Sequence, residues 1–255
     1  SSDLRRFTTP VRTLTTRVGL LPSNLAVNRI TNKIYVANDI GNSVTVIDGE
    51  TGDADTTLAV GSGPSYTGIN EVTNKIYVSN SFGNSVSVIN GKTNTVEAVI
   101  PASNGPRSAI VNKLTNKIYV PADSRVHIID GNTNTVEKTV DGGRRPMGAA
   151  VNLRTNTVYV ANYNSKSVTV IDGATGTSQT VTVGNSPRGL AINDSTNQVY
   201  VANYRDSSLT VIDGATLTTR KINLGHNSYP WAVAVNRMTN KVYVTCEGKN
   251  AVVVI

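Results

Sequence analysis

The sequence predicts an all-β fold, and three observations predict it. The tyrosine of a Y-V-x-N-type phrase returns at Tyr35, Tyr77, Tyr119, Tyr159, Tyr200 and Tyr243, in steps of 42, 42, 40, 41 and 43 residues, the period of a repeat architecture. Each unit holds four short runs rich in Val, Ile, Thr and Tyr, separated by Gly, Asn, Asp and Pro; in the fourth unit they cover residues 147–151, 158–162, 167–171 and 178–183. Some runs, such as V-Y-V-A at 158–161 and V-T-V-I at 168–171, are apolar on both faces, and no helical spacing is sustained anywhere. Six four-stranded antiparallel sheets, stacked face to face and closed into a ring, satisfy all three; this is a six-bladed β-propeller in which each unit buries its neighbour.

The elements follow in order. Residues 1–10 are polar and basic and read as a loose arm; residues 11–18, V-R-T-L-T-T-R-V, alternate like the fourth strand of later units. Every unit opens on a proline, at Pro22, Pro64, Pro106, Pro146, Pro187 and Pro230, six residues before Asn28, Asn70, Asn112, Asn152, Asn193 and Asn236. The first hairpin closes on T-N-K at 31–33, 73–75, 115–117 and 239–241, where Asn tolerates the left-handed backbone of a tight turn. The third strand ends on I-D-G at 47–49, 129–131, 171–173 and 212–214, where Asp bonds its own backbone and Gly can take positive φ. Residues 251–255 match a third strand, so the last unit lacks a fourth. Residues 11–18 are expected to supply it and close the ring, giving a single domain over 1–255; a fragment of a larger ring is the alternative. The first residue is Ser1 rather than Met, as in a trimmed mature product or at a cloning boundary.

The phrases T-N-K-I-Y-V-A-N and S-V-T-V-I-D-G resemble the YVTN-type β-propeller repeats of bacterial and archaeal envelope or secreted proteins, over nearly the whole chain. The resemblance implies an extracytoplasmic propeller, secreted or periplasmic, that often serves as a binding module; some relatives carry catalytic or cofactor duties.

The residues exclude several classes. There is no apolar run long enough to span a membrane, no glycine-rich phosphate loop, no nucleophile elbow and no His/Cys spacing of a metal site, so no cofactor is expected. The lone Cys246 rules out an internal disulfide and replaces the Asn of Y-V-x-N, as a small buried residue does; a nucleophilic thiol is the other reading. His127 replaces the Thr or Ser of a third strand and reads as structural.

Comparing the units with one another separates scaffold from variation. The residue after each proline varies (Ser23, Ser65, Arg107, Met147, Arg188, Trp231), and so does the loop from second to third strand (Asp39, Ser81, Asp123, Tyr163, Tyr204, Glu247). In a propeller both loops surround the same channel mouth, a place suited to ligands. The four tyrosines outside the repeat phrase, Tyr66, Tyr163, Tyr204 and Tyr229, and the only Trp, Trp231, all map there. Arg107, Arg144, Arg145 and Arg188 map there too, against Asp39, Asp123 and Glu247, in a chain of net charge +7.

Aromatic and basic side chains together suit an anionic or flat ligand: a polysaccharide, a single-stranded nucleic acid or a small molecule. The first functional reading is therefore a monomeric binding module with Arg107, Arg145, Arg188, Trp231, Tyr66, Tyr163, Tyr204, Tyr229 and Asp39 around its ligand. The second is a lyase or hydrolase in which His226 acts as acid or base beside Glu247, with a hard-cation variant built on Asp39, Asp123 and Asn24. The third is a structural surface-layer or adhesion module.

Overall fold

The computed structural model of the chain describes residues 13–255, so the expected arm at 1–10 lies outside it. Six antiparallel sheets follow one another: sheet 1 over residues 22–59, sheet 2 over 64–101, sheet 3 over 110–141, sheet 4 over 146–182, sheet 5 over 187–223 and sheet 6 over 230–254. Sheets 1 to 5 have four strands, paired in chain order, and sheet 6 has three. The strands of sheet 4 run Pro146–Asn152, Thr157–Asn162, Ser167–Asp172 and Ser178–Thr182, within two residues of the runs read from sequence. The only helical pieces among the described residues are single 3-10 turns, Tyr204–Asp206 and Glu247–Lys249. The fold is all-β and of β-propeller type.

The core lies between sheets rather than inside any of them. Val86, Val88 and Ile100 of sheet 2 pack on Ala109, Ile118 and Val120 of sheet 3, and the same apolar contact recurs from sheet 3 to 4, 4 to 5 and 5 to 6. Tyr35, Tyr77, Tyr119 and Tyr159 are wholly buried there. The first strands of successive sheets lie side by side.

A second tie runs through asparagine. The turn residues Asn32, Asn74, Asn116, Asn156, Asn197 and Asn240 all hold φ between +52° and +54°. That conformation, which Asn tolerates, presents the side-chain oxygen to the preceding sheet. There the Asn that ends the first strand donates its amide: Asn28 to Asn74 (2.8 Å), Asn70 to Asn116 (2.7 Å), Asn112 to Asn156 (2.7 Å), Asn152 to Asn197 (2.9 Å) and Asn193 to Asn240 (2.7 Å). Within sheets, Asn38, Asn80, Asn162 and Asn203 of Y-V-x-N each donate to two hydroxyls of the third strand, for example Asn162 to Ser167 and Thr169.

The expected closing strand is not paired with sheet 6. Residues 13–18 form no strand. They are held instead by the turn of sheet 1, where the Thr16 hydroxyl donates to the Gly52 carbonyl and Leu14 covers Gly52. Residues 11 and 12 of that segment lie outside the described residues.

Candidate ligand-binding face

The prolines set the geometry of the loop face. Each pairs with the last residue of its second strand, as Pro187 with Asn203 and Pro230 with Cys246, and the register slips immediately afterwards in sheets 1, 2, 4, 5 and 6. A slip of this kind leaves the following residue unpaired and re-aims its side chain. In sheets 5 and 6 those residues are Arg188 and Trp231, on neighbouring strands.

The side chains of sheets 4 to 6 gather here. The Arg188 guanidinium carbon stands 2.9 Å from the Trp231 ring centroid and 5.7 Å from that of Tyr204. Tyr204 meets Trp231 edge-on at 5.9 Å and Tyr229 at 5.3 Å. Arg145 lies over Tyr163 at 5.1 Å. A guanidinium stacked on a ring keeps its N–H edges free for an anion. Burial lowers the Arg188 pKa from its ordinary value and Arg145 adds to that; Tyr163, Tyr204 and Glu247 oppose it. Desolvation raises the Tyr204 hydroxyl pKa, and the neighbouring Glu247 carboxylate raises it further.

A second basic station lies between sheets 3 and 4. Arg107, Arg144 and Arg145 surround a pocket of about 240 Å³ with Asn104, Asn164 and one carboxylate, Asp123. Arg145 thus belongs to both stations. Asn104 and Asn164 carry no sequence signal of their own beyond lying in the same loops.

Three expected members stand apart. Tyr66 is two residues after its proline, not one, and side chains alternate along a strand. It points into the sheet interface and packs against the cluster of Ile110, Tyr119 and Val158, where burial raises its hydroxyl pKa. The same register is filled by buried Ser108, and by Gly148 and Gly189, where a Cβ would collide with the next sheet's backbone. Asp39 lies in the loop of sheet 1, its backbone N–H bonded to the Leu21 carbonyl at 2.9 Å, away from the arginines of sheets 3 to 5. His226 lines a separate pocket of about 280 Å³ with Arg205, Asp206 and Tyr229, and its Nδ1 meets Asn227 at 3.2 Å. Glu247 sits instead beside Tyr204 and Trp231, so the structure does not bring His226 and Glu247 together.

The remaining candidates are scaffold. His127 is buried; its Nε2 accepts from the Ser103 backbone N–H at 2.9 Å, which leaves Nδ1 to donate to the Thr139 hydroxyl at 2.9 Å. Burial, then Arg125, lowers its pKa. Cys246 is buried in the apolar contact between sheets 5 and 6, and burial pushes its thiol up. On the opposite face, Lys33 pairs with Asp48 and Asp55, Lys75 with Glu97, and Lys117 with Asp130 and Glu137. The Lys33 ammonium, followed by the Thr51 and Glu50 backbone N–H groups, brings Asp48 down to about 2.

No family model matches this chain, and no curated protein does. Among solved structures, 1512 chains match it. One is a chain of Kuenenia stuttgartiensis hydrazine synthase, with a TM-score of 0.76 and 16% identity, covering 95% of this chain and 78% of that one. Likeness at that identity shows the fold alone, and a fold with so many holders is silent on activity.

Proposed function

We propose that the chain is a YVTN-type propeller that acts outside the cytoplasm, secreted or periplasmic, as a monomeric binding module for an anionic chain molecule. The observation that carries the reading is Arg188, stacked over Trp231 and flanked by Tyr204, with a second arginine station beside it. Two basic stations on one face, linked by Arg145 and Tyr163, suit a ligand with charges repeated along its length better than a single small anion. Aromatic rings beside them offer flat surfaces to sugar or base rings. The extracytoplasmic setting that the repeat resemblance implies favours an acidic polysaccharide. His226 and Glu247 lie in different pockets, so a general acid–base pair has no geometric support here.

Trp231 is the only tryptophan, so the site reports on itself. Titration with dextran sulfate is expected to change Trp231 fluorescence saturably. Arg188→Ala is expected to weaken the midpoint at least about tenfold, the equivalent of roughly 1.4 kcal/mol. Oligo-dT is the comparison: tighter binding of oligo-dT at equal salt moves the ligand class to single-stranded nucleic acid. Unchanged fluorescence with both polyanions removes the proposal.

A further inference from the structure

The two end sheets present complementary halves of an interface that the chain makes five times elsewhere. Each interface joins a buried Asn at the end of one first strand to a left-handed turn Asn in the next sheet. Asn236 of sheet 6 is the sixth such donor. It is exposed, and among the described residues only its side-chain oxygen is engaged, by the Met238 and Thr239 backbone N–H groups. Asn32 of sheet 1 is the matching acceptor, and it is exposed as well.

The apolar surfaces tell the same story in register. Val252 and Val254 of sheet 6 are 55% and 51% exposed, whereas Leu209 and Val211, at the same positions in sheet 5, are 0% and 4%. Leu25 and Val27 of sheet 1 are 60% and 45% exposed, whereas Val233 and Val235, their counterparts in sheet 6, pack against sheet 5. These four exposed positions show that sheets 6 and 1 do not cover one another.

Residues 13–18 say what belongs between them. Leu14 covers Gly52 of sheet 1 as Lys138, on the fourth strand of sheet 3, covers Gly176 of sheet 4. Both stand five residues before a glycine, Gly19 or Gly143, that packs on the Asn ending the next second strand, Asn38 or Asn162. Residues 13–18 therefore take the place of a fourth strand in a sheet preceding sheet 1. Sheet 6 ends at its third strand, Ala251–Val254.

We propose that the open faces of sheets 6 and 1 are a docking site for one further repeat segment of this same type. It adds a fourth strand to sheet 6 and then forms three strands, to which residues 13–18 contribute the fourth. It carries a first-strand Asn to meet Asn32 and a left-handed turn Asn to meet Asn236.

The test joins a second copy of residues 213–255, which spans one period in frame, after Ile255 of the chain. The added copy is expected to resist protease and to raise the thermal midpoint by about 5 °C or more. Val252→Asp is expected to leave the midpoint of the original chain within about 1 °C and to lower that of the extended chain by about 5 °C. A protease-labile extension with an unmoved midpoint overturns the proposal, as does Val252→Asp acting equally in both chains. If the extended chain does not fold, the original chain decides. An Asn32→Cys, Asn236→Cys pair in a Cys246→Ala background that forms an intramolecular disulfide shows direct closure and overturns the proposal. Self-association in sedimentation that Val252→Asp abolishes shows a second copy on the face and also overturns it. A monomer without the disulfide, its exposed apolar faces binding a hydrophobic dye that Val252→Asp displaces, supports it.

Discussion

His127 shows how one substitution in a repeat converts a silent position into a titrating one. The equivalent residues are Thr45, Ser87, Thr169 and Thr210, which bear hydroxyls and do not titrate. The fold disfavours protonation of the imidazole, because burial desolvates it and its Nε2 already accepts from the Ser103 backbone N–H, a donor that cannot accept a proton in return. Its folded pKa is lowered, so between that value and the unfolded value near 6.5 the unfolded chain binds more protons. The stability His127 contributes is thus complete above about pH 6.5 and is lost as pH falls toward the folded value. His127→Thr should flatten this part of the profile: the difference in urea midpoint between pH 7.5 and pH 5 is expected to be smaller in the variant. An equal difference in both proteins contradicts the assignment. The loop face was legible residue by residue for a related reason. Arg188, Tyr204 and Trp231 break the repeat where the scaffold places no demand. Tyr66 was misread because a one-residue step along a strand reverses a side chain's direction, and that step is invisible when units are compared only by loop.

The elements are held to one another by a bond whose two halves sit on different turns. The first hairpin of each sheet is short because its Asn is left-handed, and the same Asn then receives the amide of the sheet before it. Local turn chemistry and the joining of one sheet to the next therefore use one residue. Asn152→Asp keeps the oxygen that accepts from the Arg154 and Thr155 N–H groups but sets a carboxylate against the Asn197 oxygen. It is expected to cost about 1–3 kcal/mol in urea unfolding. Asn236→Asp, with no neighbour to offend, is expected to stay within about 0.5 kcal/mol. Equal costs at the two sites would show that the bond between sheets contributes nothing. The strands and turns could be read from sequence because each depends on neighbouring residues. The pairing of residues 13–18 could not, because a strand pattern names a partner type and not which sheet supplies it.

At the scale of the molecule, stability is distributed over nearest-neighbour contacts between sheets, so the two ends carry the whole cost of any surface left uncovered. Among the described residues no helix is long and apolar enough to cross a membrane. Charge is divided between the two faces in an uneven way. Lys33, Lys75 and Lys117 are each tied to carboxylates, while Arg107, Arg144 and Arg145 share one Asp123. Association with dextran sulfate is expected to slow between 50 and 200 mM salt, because the screening length shortens about twofold over that range. A salt-independent rate in stopped-flow would contradict this. The hairpin lysines Lys33, Lys75 and Lys117 are offset by their partners, while the arginine loops hold three guanidinium groups to one carboxylate. In the field of an anionic surface the molecule should therefore turn before it touches, arriving with the arginine side first and the hairpin tips outward.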